Sequence, residues 1–357
     1  MIGPEPLRLR RPVGHAAETS LRDYADAAWA VNGNAERALA LAVQLSGTVP
    51  RPGAGHTVEY FEVLATLACC DLTAARVAEA HLDALAIVYQ AGLELAELVS
   101  AEDAAVGTWG VFAAESGGTR LTAEARTAGG EWRLSGTKPW CSLAGTLSYA
   151  LVSAHVTASS WRLFAVSLRD PGVIADVDTW ISYGLRAVPS GPVHFGNVPA
   201  VPVGGPDWYL TRPGFAWGGI GVAACWWGGA VGLARQVWAA AMEKDPDQIA
   251  AAHVGALDVA LTAARTSLIA AAEQIDAGTA TGADGVLLAA RVRGLIARAV
   301  EDVIARTGHA LGPAPLAFDA RHAQRVADLQ LYVRQHHAER DDAALGRRLI
   351  GTGVLRW

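Results

Sequence analysis

The sequence predicts a multidomain protein of mixed α and β structure. It comprises an N-terminal α-helical domain (1–105), a middle antiparallel β domain built as a sandwich or barrel (106–209), and a C-terminal α-helical domain similar to a four-helix bundle (210–357). Two observations lead to this fold class. Apolar residues recur at spacings of three and four in the first and last parts of the chain, but at a spacing of two in the middle.

The N-terminal domain is predicted to be helical from about residue 20 to residue 98. The segments "AERALALAVQL" and "FEVLATLACCDLTAARVAEAHLDALAIVYQAGL" keep the helical spacing with few breakers. Between them, "TVPRPGAGHT" (48–57) is rich in Gly and Pro and indicates a loop.

The middle domain contains short alternating segments, including "EWRLSG", "YALVSAHV", "WRLFAVSL" and "GPVHFGNVPAV". Clusters of Gly, Pro, Asp and Ser separate them, which is typical of strands joined by turns. The segments are short and numerous, and no helical pattern intervenes. We therefore expect an antiparallel sandwich or barrel.

The C-terminal domain begins with an uncharged segment, "PGFAWGGIGVAACWWGGAVGLA" (213–234), which is long enough to cross a membrane. It contains seven glycines and continues directly into "RQVWAAAMEKD", so a buried central helix is the preferred interpretation and no membrane span is expected. Three long helical patterns follow, the last of them "ARHAQRVADLQLYVRQHHAERDDAALGRRL", and such helices predict a bundle.

Composition excludes some functions. The net charge of −6 and the lack of a sustained basic run argue against nucleic-acid binding. The four cysteines form no CxxC motif, which predicts reduced thiols and no metal site. The N-terminal "MIGPEPLRLRRPVGH" lacks the apolar segment of a secretory signal, so a cytoplasmic protein is expected.

Four segments resemble the acyl-CoA dehydrogenase superfamily of flavoproteins, and the resemblance extends over nearly the whole chain. "FAAESGG" (112–118) and "SGTKPWCS" (135–142) are similar to the paired flavin-contact segments of that family. "YGLRAVPSGPVHFGNVPAV" (183–201) is similar to the strands that close its middle domain. "LATLACCDLTAARVAEAHLDAL" is similar to the helix pair before that domain.

The resemblance implies a bound FAD. Trp140 would stack on the isoalloxazine ring, and the hydroxyl of Ser142 would reach flavin N5. The backbone near Ala113 and Ala114 would contact the pyrimidine rim, and Thr119 would lie near the substrate thioester or the pyrophosphate. A homodimer or homotetramer is expected, because the family completes each flavin site across a subunit boundary.

The sequence also departs from the family pattern. Ala114 replaces the usual threonine and Ser116 the usual proline. The family's arginine and phenylalanine, which reach the pyrophosphate from a neighbouring subunit, are absent from "MEKDPDQIAAAHVGALD" (242–258). Gln248 and His253 are the polar groups offered there instead.

The family's catalytic base is a carboxylate at one of two positions, and this chain has a carboxylate at neither. One position lies eight residues after an aspartate that matches Asp328 and is occupied by His336; the other is occupied by Val222. An imidazole can act as a general base near neutral pH. The alternative is a buried structural histidine bonded to a neighbour such as Tyr332 or Arg340.

Helix geometry separates the two adjacent histidines. His336 continues the apolar stripe formed by Val326, Leu329 and Val333, whereas His337 is rotated by about 100° on a continuous helix. The two histidines are therefore not expected to act together in one site.

Three further motifs are interpreted structurally. The order of His336 and Glu339 reverses the Glu-x-x-His of di-iron bundles, so no metal is expected. "GIGVAA" (219–224) matches a dinucleotide pattern but follows no strand, which indicates tight helix packing. "ERDD" (339–342) alternates with arginines at helical spacing and is a solvated face.

The resulting hypothesis is an FAD-dependent oxidoreductase of acyl-CoA dehydrogenase type. It would desaturate an acyl thioester, carried on CoA or on an acyl-carrier protein, and pass electrons to a flavoprotein or to oxygen. One alternative is a flavin-dependent monooxygenase of the same superfamily with His336 as base. The other is a catalytically silent subunit that forms a hetero-oligomer with an active homologue.

Overall fold

The computed structural model of the chain describes residues 3–10, 15–126, 130–243 and 247–354. The helices of the N-terminal block are α1 (His15–Val31), α2 (Ala35–Leu45), α3 (Thr57–Cys70), α4 (Leu72–Gln90) and α5 (Ala101–Val106), with a 3₁₀ turn at Leu95–Glu97. Asn34 and Asp71 cap α2 and α4 by accepting hydrogen bonds from the backbone of the first turn.

The β block contains seven strands among the described residues. They are β1 (Trp109–Phe112), β2 (Leu121–Ala125), β3 (Trp132–Lys138), β4 (Tyr149–His155), β5 (Trp161–Ser167), β6 (Val173–Ala175) and β7 (Val193–Val203). The strands β4, β2, β3, β7 and β5 pair in that order, and β5 pairs again with β4, which closes a barrel. Strand β1 adds to β4, and β6 adds to β7.

The predicted antiparallel arrangement is wrong for two of these pairings. Strand β4 runs parallel to β1 along four residues, and it meets β2 in parallel where Thr122 lies opposite His155. The β2–β3 hairpin lies between β1 and β4 in the chain, so β4 enters the sheet in the same direction as β1. A spacing of two records which face a side chain occupies, but not the direction of the neighbouring strand.

The C-terminal block is helical. It consists of α6 (Trp208–Thr211), α7 (Pro213–Glu243), α8 (Gln248–Asp276), α9 (Gly282–Leu311), α10 (Ala314–Phe318), α11 (Ala320–Tyr332), a 3₁₀ turn at Val333–Gln335, and α12 (Glu339–Thr352). Helix α7 packs against α3, α8 and α9, and most of its residues are buried, as predicted for 213–234. A Cβ at Gly228 would lie 2.1 Å from the carbonyl oxygen of Ala65, so α7 and α3 approach closely.

One helix among the described residues, α8, is long and apolar enough to cross a membrane by length and composition alone. In this structure it packs on α7 and α9 and exposes much of its surface. One cluster of buried apolar side chains continues through the helical, β and helical blocks, so the three share a core.

The single final helix expected over residues 320–349 is wrong. Helix α11 ends at Tyr332, and His336 has extended backbone with φ −90° and ψ 120°. Ala338 has φ +48°, a left-handed conformation that is uncommon for alanine. Side chains replace the missing helical hydrogen bonds: the N–H of His337 donates to Asp341, and the N–H of Ala338 donates to the His336 ring. Apolar residues keep their spacing of three and four across the end of α11, so the sequence pattern does not reveal that the helix stops there.

His81 joins α4 to the first strand of the barrel. Its Nδ1 accepts a hydrogen bond from the N–H of Trp109 (3.1 Å), so Nε2 carries the ring proton and donates to the hydroxyl of Ser46 (2.8 Å). Burial lowers the pKa of His81 from 6.5 to about 4. This neutral histidine therefore fixes α4 against the edge of the barrel.

We expect acid to weaken this junction. Because the pKa of His81 is lower in the folded protein than in the unfolded chain, its contribution is complete above pH 6.5 and is lost as the pH falls towards 4. The loss amounts to roughly 3 kcal/mol. Urea unfolding from pH 7 to 4.5 should show a smaller loss for His81→Gln than for the natural protein. Equal pH dependence of the two would contradict this role, and the exposed His56→Gln variant serves as control.

Candidate active site

Trp140 projects from the rim of the barrel. Its φ of +58° turns the indole outward, and 58% of the residue is exposed. The edge of the indole meets Trp180, with ring centres 6.5 Å apart and planes at 87°. The N–H of Cys141 donates to Gly191 and holds the loop in place. The predicted stacking residue is thus accessible at the surface of the described structure.

Ser142 lies inside the same loop and is half-buried. The hydroxyl of Ser190 donates to the carbonyl of Val188 (3.0 Å), so the hydrogen between the two serines comes from Ser142 (2.8 Å). Ser142 also accepts a hydrogen bond from the guanidinium of Arg76 (3.1 Å). In this state its hydroxyl hydrogen is already used within the protein.

The other predicted contacts lie just beyond β1. Ala113 is half-buried and Ala114 is exposed, while the hydroxyl of Thr119 donates to the carbonyl of Ser116 (3.1 Å). The ammonium of buried Lys138, two residues before Trp140, binds the carboxylate of Glu115. This ion pair joins the segment 113–119, which follows β1, to the end of β3, which leads into the loop of Trp140.

Arg76, Glu79 and Tyr332 continue from Ser142 into the helical interior. The guanidinium of Arg76 donates to Oε2 of Glu79 (2.9 Å), and the hydroxyl of Tyr332 donates to the same oxygen (3.2 Å). Both hydrogen bonds use Oε2, so Oε1 accepts none from the described residues. Burial raises the pKa of Glu79, although the nearby cation of Arg76 opposes the shift.

Asp83 extends this polar face of α4 by one helical turn. It lies 3.6 Å from the guanidinium of Arg212, which also donates to Oε1 of Gln90 (2.6 Å). Glycines of α7 make room for these groups. A Cβ at Gly218 would lie 3.0 Å from Asp83, and one at Gly214 would collide with Gln90. Burial raises the pKa of Asp83 as well.

Three buried N–H donors next to this network have no hydrogen-bond partner in the described part of the chain. They are Nε1 of Trp109, Nε1 of Trp226 and Nε of Arg212. The ring of Trp226 packs edge-on against Tyr332 (6.3 Å), and Trp109 shares a cavity of about 20 Å³ with Arg76 and Ser142. A buried donor without a partner costs about 1–3 kcal/mol. The cavity beside Trp109 has room for a single water molecule or one oxygen atom of a ligand.

His336 is buried, as the apolar stripe predicted, but no hydrogen bond links its ring to Glu79 in the described part of the chain. Its Nδ1 accepts the N–H of Ala338 (3.2 Å), and its Nε2 lies 3.9 Å from the carboxylate of Asp341. A Cβ at Gly294 of α9 would be 3.6 Å from Nε2. Burial lowers the pKa of His336. The ring forms no hydrogen bond with Tyr332 or Arg340 in the described residues. Its hydrogen-bond partner is instead the backbone N–H of Ala338, two residues later.

Sequence reasoning missed Glu79 and Arg76. Both lie in "LTAARVAEAHLDAL", where isolated charges in an amphipathic pattern normally mark the solvent face. A signal was present: the charged positions 76, 79 and 83 share one face of a helix that is otherwise mostly apolar or small. Of the residues proposed near the pyrophosphate, Gln248 begins α8, and Nδ1 of His253 is buried without a partner among the described residues. Residues 244–246 of that segment lie outside the described residues.

No family model matches the chain, and no curated protein matches it. Solved structures do. KijD3 in complex with FMN and dTDP-3-amino-2,3,6-trideoxy-4-keto-3-methyl-D-glucose has a TM-score of 0.79 at 20% identity, covering 98% of this chain and 96% of that one. A nitrososynthase from Micromonospora carbonacea var. africana has a TM-score of 0.77 at 20% identity (97% and 98% covered). Glutaryl-CoA dehydrogenase from Mycobacterium smegmatis has a TM-score of 0.77 at 17% identity (96% and 97%).

These likenesses define the class of protein at the level of fold. The chain has the fold of the acyl-CoA dehydrogenase-like flavoproteins, which confirms the resemblance recognised in the sequence. Oxygenases and a dehydrogenase share this fold. The fold alone therefore does not select the reaction.

A double-mutant cycle tests whether Arg76 and Glu79 form a true buried pair. Glu79→Gln leaves a buried guanidinium without its counter-ion and should cost about 3–5 kcal/mol of unfolding free energy. Arg76→Met should cost less, because the remaining carboxyl can take up a proton. We expect a coupling free energy of about 2 kcal/mol from urea unfolding at pH 7.

The exposed pair Arg298–Asp342 is the matched control. Its coupling should stay below about 0.5 kcal/mol. Equal coupling in the two pairs would show that the Arg76–Glu79 contact is no stronger than a solvated one.

Proposed function

We propose that the protein is a flavin-dependent monooxygenase that acts on a polar substrate. The observation that carries this proposal is the hydrogen-bonded chain from Ser142 through Arg76 and Glu79 to Tyr332, buried between α4 and α11. In the proposed reaction one oxygen atom of O₂ enters the substrate and the other leaves as water. The two electrons that balance this reaction would come from a reduced flavin coenzyme.

The described residues fit a flavin. An isoalloxazine ring needs an aromatic face and polar groups at its rim. The exposed indole of Trp140 supplies the face, and the half-buried Ser142 and the backbone at Ala113 and Ala114 supply the rim. When bound, the reduced flavin would supply electrons for the activation of oxygen. Residues 247–258 contain neither arginine nor phenylalanine, which favours a dissociable coenzyme, FMN or FAD.

Acyl desaturation fits this interior less well. It needs an apolar channel for the acyl chain and a carboxylate beside the thioester. Here Arg76, Glu79 and Asp83 line one face of α4, and desolvating such groups against a hydrocarbon chain is costly. The two family positions of the base hold Val222 and His336, and the His336 ring points towards α9 and α12.

Glu79 is the group best suited to manage a proton. Burial raises the pKa of Glu79 towards neutral pH, and a carboxylate with a raised pKa is a more effective general base. Its Oε1 has no donor among the described residues and can accept an N–H or O–H of the substrate, while Arg76 and Tyr332 hold Oε2. The unpartnered N–H of Trp109 belongs to a residue that borders the cavity of about 20 Å³, and it would bind one oxygen atom of the substrate there. The proposed substrate is therefore small, oxygen-rich and carries an ionisable N–H or O–H.

Two similar structures support this choice. KijD3 is described with FMN and an amino-keto sugar nucleotide, and another structure is a methanesulfinate monooxygenase from Pseudomonas fluorescens. Amino and keto groups are the kinds of polar functions that the Glu79 network could bind.

Flavin binding can be tested without knowing the substrate. Trp140→Ala should weaken the affinity for FMN and FAD about tenfold, because it removes about 1.5 kcal/mol of stacking. Trp238→Ala, an equally exposed indole on α7, should leave it unchanged. Affinity is measured by fluorescence titration. Equal effects of the two substitutions would remove Trp140 from the flavin site.

The reaction is tested with a flavin reductase, O₂ and a panel of amino and keto sugars and their nucleotide-linked forms. Mass spectrometry should detect a product one oxygen atom heavier, labelled by ¹⁸O₂. Glu79→Gln should abolish the product while flavin affinity stays within about twofold. Absence of labelled product across the panel, or full activity of Glu79→Gln, would contradict the proposal.

A further inference from the structure

A second cavity, of about 800 Å³, opens between the first turns of α4 and α11. Its size is that of a small-molecule site. Its wall includes Asn32, Thr73, Arg186, Phe318, Arg321 and Gln324. None of the predicted flavin contacts lines it, and neither does Arg76 or Glu79, so the proposed reaction leaves this cavity unexplained.

Two arginines offer cationic donors at this wall. Arg186 is exposed and makes no hydrogen bond or ion pair with the described residues. Arg321 lies with its guanidinium carbon 3.7 Å from the ring centre of Trp29 and donates to the side-chain oxygen of Asn32 (2.7 Å). These contacts hold the guanidinium of Arg321 in place and leave other N–H groups for a ligand, since arginine has five.

The lining also contains three aspartates, and each is engaged by backbone donors. Asp71 accepts from Gly33 and Ala74, Asp319 from Arg321 and His322, and Asp328 from Leu185. A third arginine, Arg325, donates to the carbonyls of Cys69, Cys70 and Gly232. The three aspartates and three arginines of the wall therefore cancel in formal charge. Whether the cavity prefers an anion or a cation then depends on which of these groups have no partner within the protein.

The free groups favour an anion. Helices α4 and α11 both begin at this cavity, and the positive ends of their dipoles offset part of the aspartate charge. None of the three arginines forms an ion pair with the described residues, and Arg186 is the one that also makes no hydrogen bond to them. The hydroxyl of Thr73 makes no hydrogen bond to the described residues, although the residue is only 2% exposed, so it is available to the same ligand.

An aromatic ring lies beside these donors. Phe318 ends the short helix α10, directly before the Asp319 cap of α11, and 89% of it is exposed. An isolated phenyl ring in water, beside the free donors of Arg186 and Arg321, suits a planar partner, against which it would stack.

We propose that this cavity binds a nucleotide, with its phosphates at Arg186 and Arg321 and its base against Phe318. Bidentate phosphate recognition is characteristic of arginine, and stacking on phenylalanine tolerates any base. The site does not require flavin, and it holds whether or not the protein is an oxygenase.

Isothermal titration of the flavin-free protein with ADP tests the proposal. Arg186→Ala should weaken ADP binding about tenfold or more, and Phe318→Leu about fivefold. Arg291→Ala, an exposed arginine of α9 outside the cavity, should bind ADP normally. Both wall positions are exposed, and thermal melting should confirm that the variants remain folded.

Two further probes separate the parts of the ligand. Pyrophosphate should bind more weakly than ADP but with the same dependence on Arg186, and adenosine should not depend on Arg186. Binding of ADP should weaken as salt rises from 50 to about 500 mM. Failure of ADP to bind, or equal affinity in Arg186→Ala and Arg291→Ala, would overturn the proposal. Equal affinity for pyrophosphate and ADP would overturn the role of Phe318.

Discussion

The burial of Arg76 against Glu79 is the constraint on which the site depends. A pair of charges removed from water is stabilised by mutual contact and by further hydrogen bonds, which Arg76 makes with Ser142 and Oε2 of Glu79 makes with Tyr332. This one network connects a loop of the barrel, helix α4 and helix α11. It therefore joins the β block to the helices, together with the His81–Trp109 hydrogen bond and the shared apolar core.

The long glycine-rich helix is what permits this arrangement. Gly214 and Gly218 leave space on α7 for Gln90 and Asp83, while Gly228 lets the same helix touch the backbone of α3. A helix with larger residues at these positions would expel the polar face of α4. The interface between α4 and α7 therefore contains a narrow charged layer, next to three N–H donors that have no hydrogen-bond partner among the described residues.

Much of the fold was predictable from the spacing of apolar residues alone. Apolar residues three and four apart mark the buried face of a helix, and apolar residues two apart mark the buried face of a strand. Strand direction and the break after Tyr332 were not predictable, since neither changes that spacing. Of the site, Trp140 and Ser142 came from a resemblance, and their role as flavin contacts remains a prediction. Glu79 was missed because a buried and a solvated charge look the same in one sequence, and only tertiary packing distinguishes them.

The most direct test of the account is anaerobic mixing of the flavin-loaded protein with a short acyl-CoA such as butyryl-CoA. A charged interior without a base beside the thioester should leave the visible spectrum of the oxidised flavin unchanged. Bleaching of the flavin within a single turnover would contradict the account. It would mean that an acyl chain enters the layer occupied by Arg76 and Glu79, and that the protein is a dehydrogenase.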